Sequence, residues 1–222
     1  MSPPQTATSK NRHAGEPPRA LSYTRSVQDE IKITGEPSSR GDRCKYTVDR
    51  PLVPGESAFF GKPAEPGMSP LAEEILGISG VESVMIAENV VSVSVEHPVD
   101  WPALALGNVI RKHIRSGDPV VSPRFFEGLP SEGDLKWAIG DLLTREINPA
   151  VAQHGGFVEL IDVKRNNVYI RLGGGCQGCG AADVTLKQGI EKAIRELAPR
   201  VGEILDTTDH GAGSNPYYSP GK

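Results

Sequence analysis

A chain of 222 residues has room for one large domain or two small ones, and its 37% hydrophobic content with 25 glycines is that of a globular protein. The net charge of −4 excludes a dedicated nucleic-acid binder, which would carry a basic excess. No apolar run approaches the roughly 18 residues that a spanning helix needs, which excludes membrane insertion.

Residues 1–25 hold four prolines, with Leu21 and Tyr23 almost alone as core-forming side chains, so a disordered tail is expected. A secretory signal fails for want of an apolar stretch. A mitochondrial transit peptide is disfavoured because the prolines break any amphipathic helix, which leaves a bacterial cytoplasmic protein as the expectation.

A first domain is expected over 26–116. Residues 44–48 and 57–60 predict short strands, separated by Pro51, Pro54 and Gly55. Ser69-Pro70 predicts a helix start ahead of Leu71, Ile75 and Leu76, with Gly77 as its stop. Residues 81–87 and 90–95 are rich in β-branched side chains and predict a hairpin turning at Glu88-Asn89. Ser92 and Ser94 alternate with Val91, Val93 and Val95, as in a strand with one wet face. Asp100 is expected to cap a single helix over about 101–115, with Leu106, Val109, Ile110 and Ile114 on one stripe. Cys44 predicts a small packed hydrophobe, and neither His97 nor His113 has an evident partner.

Residues 117–133, crowded with proline and glycine, predict a linker from which Phe125 and Phe126 dock on something apolar. A second domain is expected over 134–207. Leu135, Ile139, Leu142 and Ile147 outline a helix that Asn148-Pro149 kinks or ends. Residues 157–163 and 168–172 predict a hairpin around Arg165-Asn166-Asn167. A glycine-rich loop follows, then a helix to about Ala198 with Leu186, Ile190, Ile194 and Leu197 on one face, and a third strand over 201–205. A flexible tail is expected over 208–222. The fold class predicted is α+β: two small domains, each a short sheet with helices on one face.

The chemistry concentrates in Gly173-Gly174-Gly175-Cys176-Gln177-Gly178-Cys179-Gly180, between a predicted strand and a predicted helix. Gly173, Gly175 and Gly178 spell a dinucleotide fingerprint. That reading is rejected: the strand is expected as the second arm of a hairpin, the acidic residue about 20 positions on is Glu196 inside a helix, and the domain is short. A thioredoxin-like dithiol oxidoreductase has the right Cys-x-x-Cys spacing and a helix start to acidify a thiol, but no upstream βαβ unit. Structural zinc wants four ligands, and only His154 and His210 could complete this single pair. A [4Fe-4S] cluster wants four thiolates; two identical loops meeting on a two-fold axis would supply them. Flanking glycines would let backbone approach the cluster, and the positive helix end would favour thiolates. Such a shared, exposed site suits a carrier that releases its cargo.

At these residues the sequence becomes recognisable. Gly155-Gly156-x-Val158-Glu159-Leu160, Gly175-Cys176-x-Gly178-Cys179 and Thr185-Leu186-Lys187-x-Gly189-Ile190-Glu191 resemble the C-terminal domain of NifU, found in the Nfu-type iron–sulfur carriers. Lys62-Pro63 and Ser69-Pro70-Leu71-Ala72 are similar to the Nfu N-terminal domain, and Asp209-His210-Gly211 with Asn215-Pro216-Tyr217-Tyr218 looks like the tail of bacterial members. The resemblance implies a non-enzymatic scaffold or carrier in which Cys176 and Cys179 bind a [4Fe-4S] cluster across a homodimer. Its implied partners are apo iron–sulfur client proteins and the cluster assembly machinery. Gly180 departs from the proline that many members carry after the second cysteine, which loosens the loop.

Overall fold

Among the described residues, eight strands form two sheets. The computed structural model describes residues 30–153, 155–174 and 180–207, with the backbone alone for 180–185. The tail expected over 1–25, His154, Cys176, Cys179, His210 and the tail expected over 208–222 lie outside the described residues.

The first sheet contains β1 (Ile33–Pro37), β2 (Arg43–Val48), β3 (Val53–Gly61), β4 (Val81–Glu88) and β5 (Val90–Val95), in the order β1-β2-β5-β4-β3 and antiparallel throughout. Val91, Val93 and Val95 are buried on one face while Ser92 and Ser94 take the other, as the alternation demands. Two helices cover the valine face. In α1 (Pro70–Leu76) the Ser69 hydroxyl accepts a hydrogen bond from the amide of Ala72 at 3.1 Å and donates to the Val120 carbonyl at 2.6 Å. Leu71, Ala72, Ile75 and Leu76 are buried, and Gly77 closes the helix.

The single helix expected from Asp100 is broken in two. A 3-10 turn covers Trp101–Leu104 and α2 covers Leu106–Ser116; Ala105, at φ 48°, separates them. Asp100 makes no side-chain capping bond. The interruption follows from Trp101, which buries its ring and donates its indole N–H to the Gly41 carbonyl at 3.0 Å, a position that a continuous helix would forfeit. His113 does have a partner: its Nε2 lies 2.7 Å from Glu74 Oε2, an oxygen that Lys112 also reaches at 2.7 Å. Cys44 is buried, and burial pushes its thiol upward, away from the reactive thiolate.

The stretch 117–133 carries a short helix, α3 (Pro123–Glu127), that sequence reasoning missed. Val120, Val121 and Phe125 join the first core, where the Phe125 ring sits 5.0 Å from that of Phe60. Proline and glycine obscured a helix of barely more than one turn, whose order comes from its buried ring.

The second sheet holds β6 (Gly156–Lys164), β7 (Asn167–Gly174) and β8 (Ile204–Asp206), with β6 antiparallel and β8 parallel to β7. Packed on it are α4 (Glu132–Leu142), a π-helical turn (Leu143–Ile147), α5 (Asn148–Ala152) and α6 (Gly180–Leu197). Leu135, Ile139, Leu143, Ile147 and Val151, every fourth residue, are the buried set. The stripe therefore runs through Leu143, not through the expected Leu142. A helix of 3.6 residues per turn lets such a stripe drift around its axis, and the wider π turn offsets that drift. All of this, from Ile31 on, belongs to one compact unit, and both sheets carry helices as the α+β expectation requires.

Candidate functional site

The glycine-rich loop is positioned by the two elements on either side of it. Arg165 and Asn166 both adopt positive φ, 46° and 64°, the signature of the two-residue turn whose twist suits a hairpin. That turn fixes the register of β6 on β7, and the open end of the hairpin pairs Phe157 with Gly173 and Gly156 with Gly174. Three glycines and one aromatic ring make up the last two rungs. A Cβ on Gly173 would overlap the ring of Phe157, which covers it while remaining half exposed. A Cβ on Gly174 would overlap the Gly155 carbonyl oxygen, and Gly174 itself sits at φ 64°. The two strands thus lie flush where the cysteine loop begins.

On the far side of the loop, α6 begins at Gly180 and runs 18 residues. Its N-terminus carries the positive end of the helix dipole, and Cys179 is the residue immediately before it in the chain. Further along, α6 is held by Ile190 and Ile194 in the second core, and by Lys187, which lies 2.8 Å from Asp206 of β8. Cys176 and Cys179, with the whole stretch 175–179, fall outside the described residues. Among the described residues no group of three or more His, Cys, Asp or Glu side chains is placed to hold a metal ion.

The topology around β7 differs from the sequence expectation. The strand leading into the loop is indeed the second arm of a hairpin, yet it is also the first strand of a β-α-β unit, because α6 returns the chain to β8 parallel to β7. The loop therefore occupies the carboxyl end of a parallel strand, where open α/β sheets place their ligands. The other objections to a dinucleotide site stand: Glu196 lies within α6, and the parallel pairing spans only three residues of β8. A third strand of three residues was too short for sequence periodicity to reveal its direction.

Asp162, beside Lys136 at 3.1 Å, is held below the usual carboxylate range by that hydrogen bond. Arg195 is nearly buried, and desolvation pulls its guanidinium down despite Glu191 at 3.1 Å. Glu203 is pushed up by burial.

Comparison with known proteins places these features in a family. The family model described as "NifU-like domain" matches residues 139–205, and that described as "Scaffold protein Nfu/NifU N terminal" matches residues 33–117. The Fe/S biogenesis protein NfuA of Ectopseudomonas mendocina is 48% identical over 88 residues, 39% of this chain and 45% of that protein. The chain thus spans less than half of that relative. The NfuA of Teredinibacter turnerae is 34% identical over 200 residues, 89% of this chain and 98% of that protein. A solution NMR structure of a NifU-like protein from Saccharomyces cerevisiae is 20% identical with a TM-score of 0.39, covering 53% of this chain and 99% of that one. With both family models matched and one relative similar along almost its whole length, the chain belongs to the Nfu/NifU-type family of Fe/S biogenesis proteins.

Proposed function

We propose that this protein is a carrier of iron–sulfur clusters, not an enzyme, and that it binds a [4Fe-4S] cluster between two protomers through Cys176 and Cys179 of each. The observation that carries the reading is the frame of the loop. A glycine ladder with no room for side chains leads in, and the positive end of an 18-residue helix leads out directly after the second cysteine. The helix end favours thiolate over thiol, which suits both iron binding and later departure. Two thiolates per chain are half of what a cubane needs, so a homodimer completes the set.

Handover is ligand exchange. A client cysteine loses its proton and forms a bond to iron as the bond from iron to Cys176 or Cys179 breaks; the released thiolate takes up a proton. Repetition moves the cluster with no net redox change. The partners are apo iron–sulfur proteins and the machinery that supplies the cluster, and residues 26–116 recognise one or the other. Among the described residues no helix is long and apolar enough to cross a membrane, and a cytoplasmic setting agrees with the reducing conditions that free thiolates need.

Anaerobic reconstitution with iron and sulfide tests the proposal. The expected result is about four irons and four sulfides per dimer, a broad absorbance band, and a mass that doubles on loading. The double substitution Cys176→Ser with Cys179→Ser abolishes loading and leaves the circular dichroism unchanged. A colourless monomer that catalytically reduces disulfides supports the dithiol oxidoreductase instead. Loss of folding in the double variant points to structural zinc.

A further inference from the structure

The serine-lined face of the first sheet, which the alternation in β5 marks as wet, is where the second sheet and α6 come to rest. Most of the contacts fall on edge strand β3 or the residues just after it, and Arg200 also lies 5.6 Å from the centre of the Phe125 ring of α3. The Ser57 hydroxyl, fully buried, donates to Asn167 Oδ1, which also accepts the amide of Glu203 at 2.7 Å. Gly202 lies so close that a Cβ there would overlap the Ser57 hydroxyl. Three arginines cross from the second sheet's side. Arg165 donates to the Gly55 carbonyl at 3.4 Å, Arg200 binds Glu65 with Nε at 3.1 Å from the carboxylate, and the Arg195 guanidinium stacks 3.5 Å above the Phe59 ring. Arg195 is the most buried of them, and its remaining N–H groups are aimed at the carbonyls of Val201 and Gly202, at 2.8 and 3.1 Å, and at Glu191.

We infer that the outer face of the first sheet along β3 is a docking surface for the cysteine-bearing half of the chain, and that Arg195 on Phe59 is its latch. The composition supports this. Arginine against an aromatic ring, enclosed by polar contacts, is the make-up of an energetic hot spot, whereas a continuous apolar seam would mark a single fused core. The two hydrophobic clusters are separate, with no buried residue in common, and the hydrogen bonds and ion pairs named above run between them. Interfaces of that kind open and close more readily than cores do. The latch also has an address: Arg195 sits near the C-terminal end of the helix whose first residue follows Cys179. Whatever residues 26–116 recognise is thereby coupled mechanically to the helix that follows the cysteines in the chain. The inference does not depend on the cluster proposal and stands or falls without iron.

Hydrogen exchange on the full apo chain tests it, using Arg195→Ala and Phe59→Ala. Arg195 also staples α6 to Val201 and Gly202 within its own half, so a purely local role for it predicts faster exchange there alone. A latch predicts reciprocity: Arg195→Ala speeds exchange in β3, and Phe59→Ala speeds it at Gly202 and Glu203, each by about five- to thirtyfold, as expected for the loss of a largely desolvated cation–ring contact. The radius of gyration by solution scattering rises in both. If Arg195→Ala fails to fold, Phe59→Ala carries the test alone, because its ring projects from the face opposite the first core. Exchange altered only in the half that bears the substitution, with an unchanged radius, overturns the inference.

Discussion

At the scale of single residues, the constraints are sharpest where two main chains meet. Gly173 and Gly174 are adjacent, yet their substitutions differ in consequence because the obstacles differ. A Cβ on Gly173 meets the Phe157 ring, a half-exposed side chain that can swing outward; one on Gly174 meets the Gly155 carbonyl and must also adopt positive φ. Gly174→Ala is therefore expected to cost about 1–3 kcal/mol, and Gly173→Ala distinctly less, the latter becoming near neutral when Phe157→Ala is added. Urea unfolding of these three variants and of Phe157→Ala alone checks the order. The second residue-scale prediction concerns acid. Hydrogen bonds from Lys112 and His113 hold Glu74 below its ordinary value. A depressed carboxylate stabilises the fold fully above its unfolded pKa, and that contribution disappears as pH falls through the lower, folded value. Glu74→Gln should accordingly lose less thermal stability than the parent protein between pH 6 and pH 3. Equal losses in a Tm series over that range would remove Glu74 from the acid limb. The glycine run itself was visible in the sequence, but which carbonyl each glycine faces depends on the hairpin register, which no single residue announces.

Secondary elements were legible wherever local chemistry and tertiary demand agree. The serine cap of α1, the valine–serine alternation of β5 and the hairpin of β6 with β7 all fall where their residues predict, because propensity, cap and burial point the same way. Disagreement arose where a tertiary contact overrules the local pattern. Trp101 breaks a helix to bury its ring, Phe125 orders a helix within a proline-rich stretch, and the every-fourth-residue stripe of α4 selects Leu143 through a π turn. β1 was missed altogether: only Ile33 of its five residues is even partly buried, so alternation has nothing to display. The junction after the π turn supports a further prediction. Asn148 uses its side-chain amide as a short substitute strand, donating to the Val158 carbonyl at 2.9 Å and accepting the Val158 amide at 2.7 Å. It thus caps the free edge of β6 and ties α5 to it. Asn148→Ala should cost about 1–3 kcal/mol, since two part-buried backbone groups lose their partners at once. It should also speed exchange at the Val158 amide beyond the global effect. A loss confined to helical signals, with Val158 unchanged, would assign Asn148 to the helix alone.

For the molecule as a whole, the site proposed at Cys176 and Cys179 is half of a ligand set, a reading that rests on the spacing of the two cysteines. What spacing could not display is the frame: that β7 is shared between a hairpin and a β-α-β unit, so that the loop lies at the carboxyl end of a parallel pair. Direction is a property of the return path through α6 to β8, and a three-residue strand carries no period to betray it. A halved ligand set, as proposed, would have a thermodynamic consequence. When two copies share one cargo, the loaded state is favoured by protein concentration, and dilution pulls it apart by mass action. A single chain that contributed all four ligands would hold its cluster independently of concentration. Loaded protein diluted anaerobically in steps should therefore lose its absorbance as its mass falls to that of one chain. Two copies fused in tandem through a flexible linker should resist the same dilution, because the linker keeps the second pair of thiolates at an effective concentration on the order of millimolar. Identical dilution curves for the fused and separate forms would mean that one chain suffices for the cargo, and the shared-cluster proposal would fail even if iron were bound.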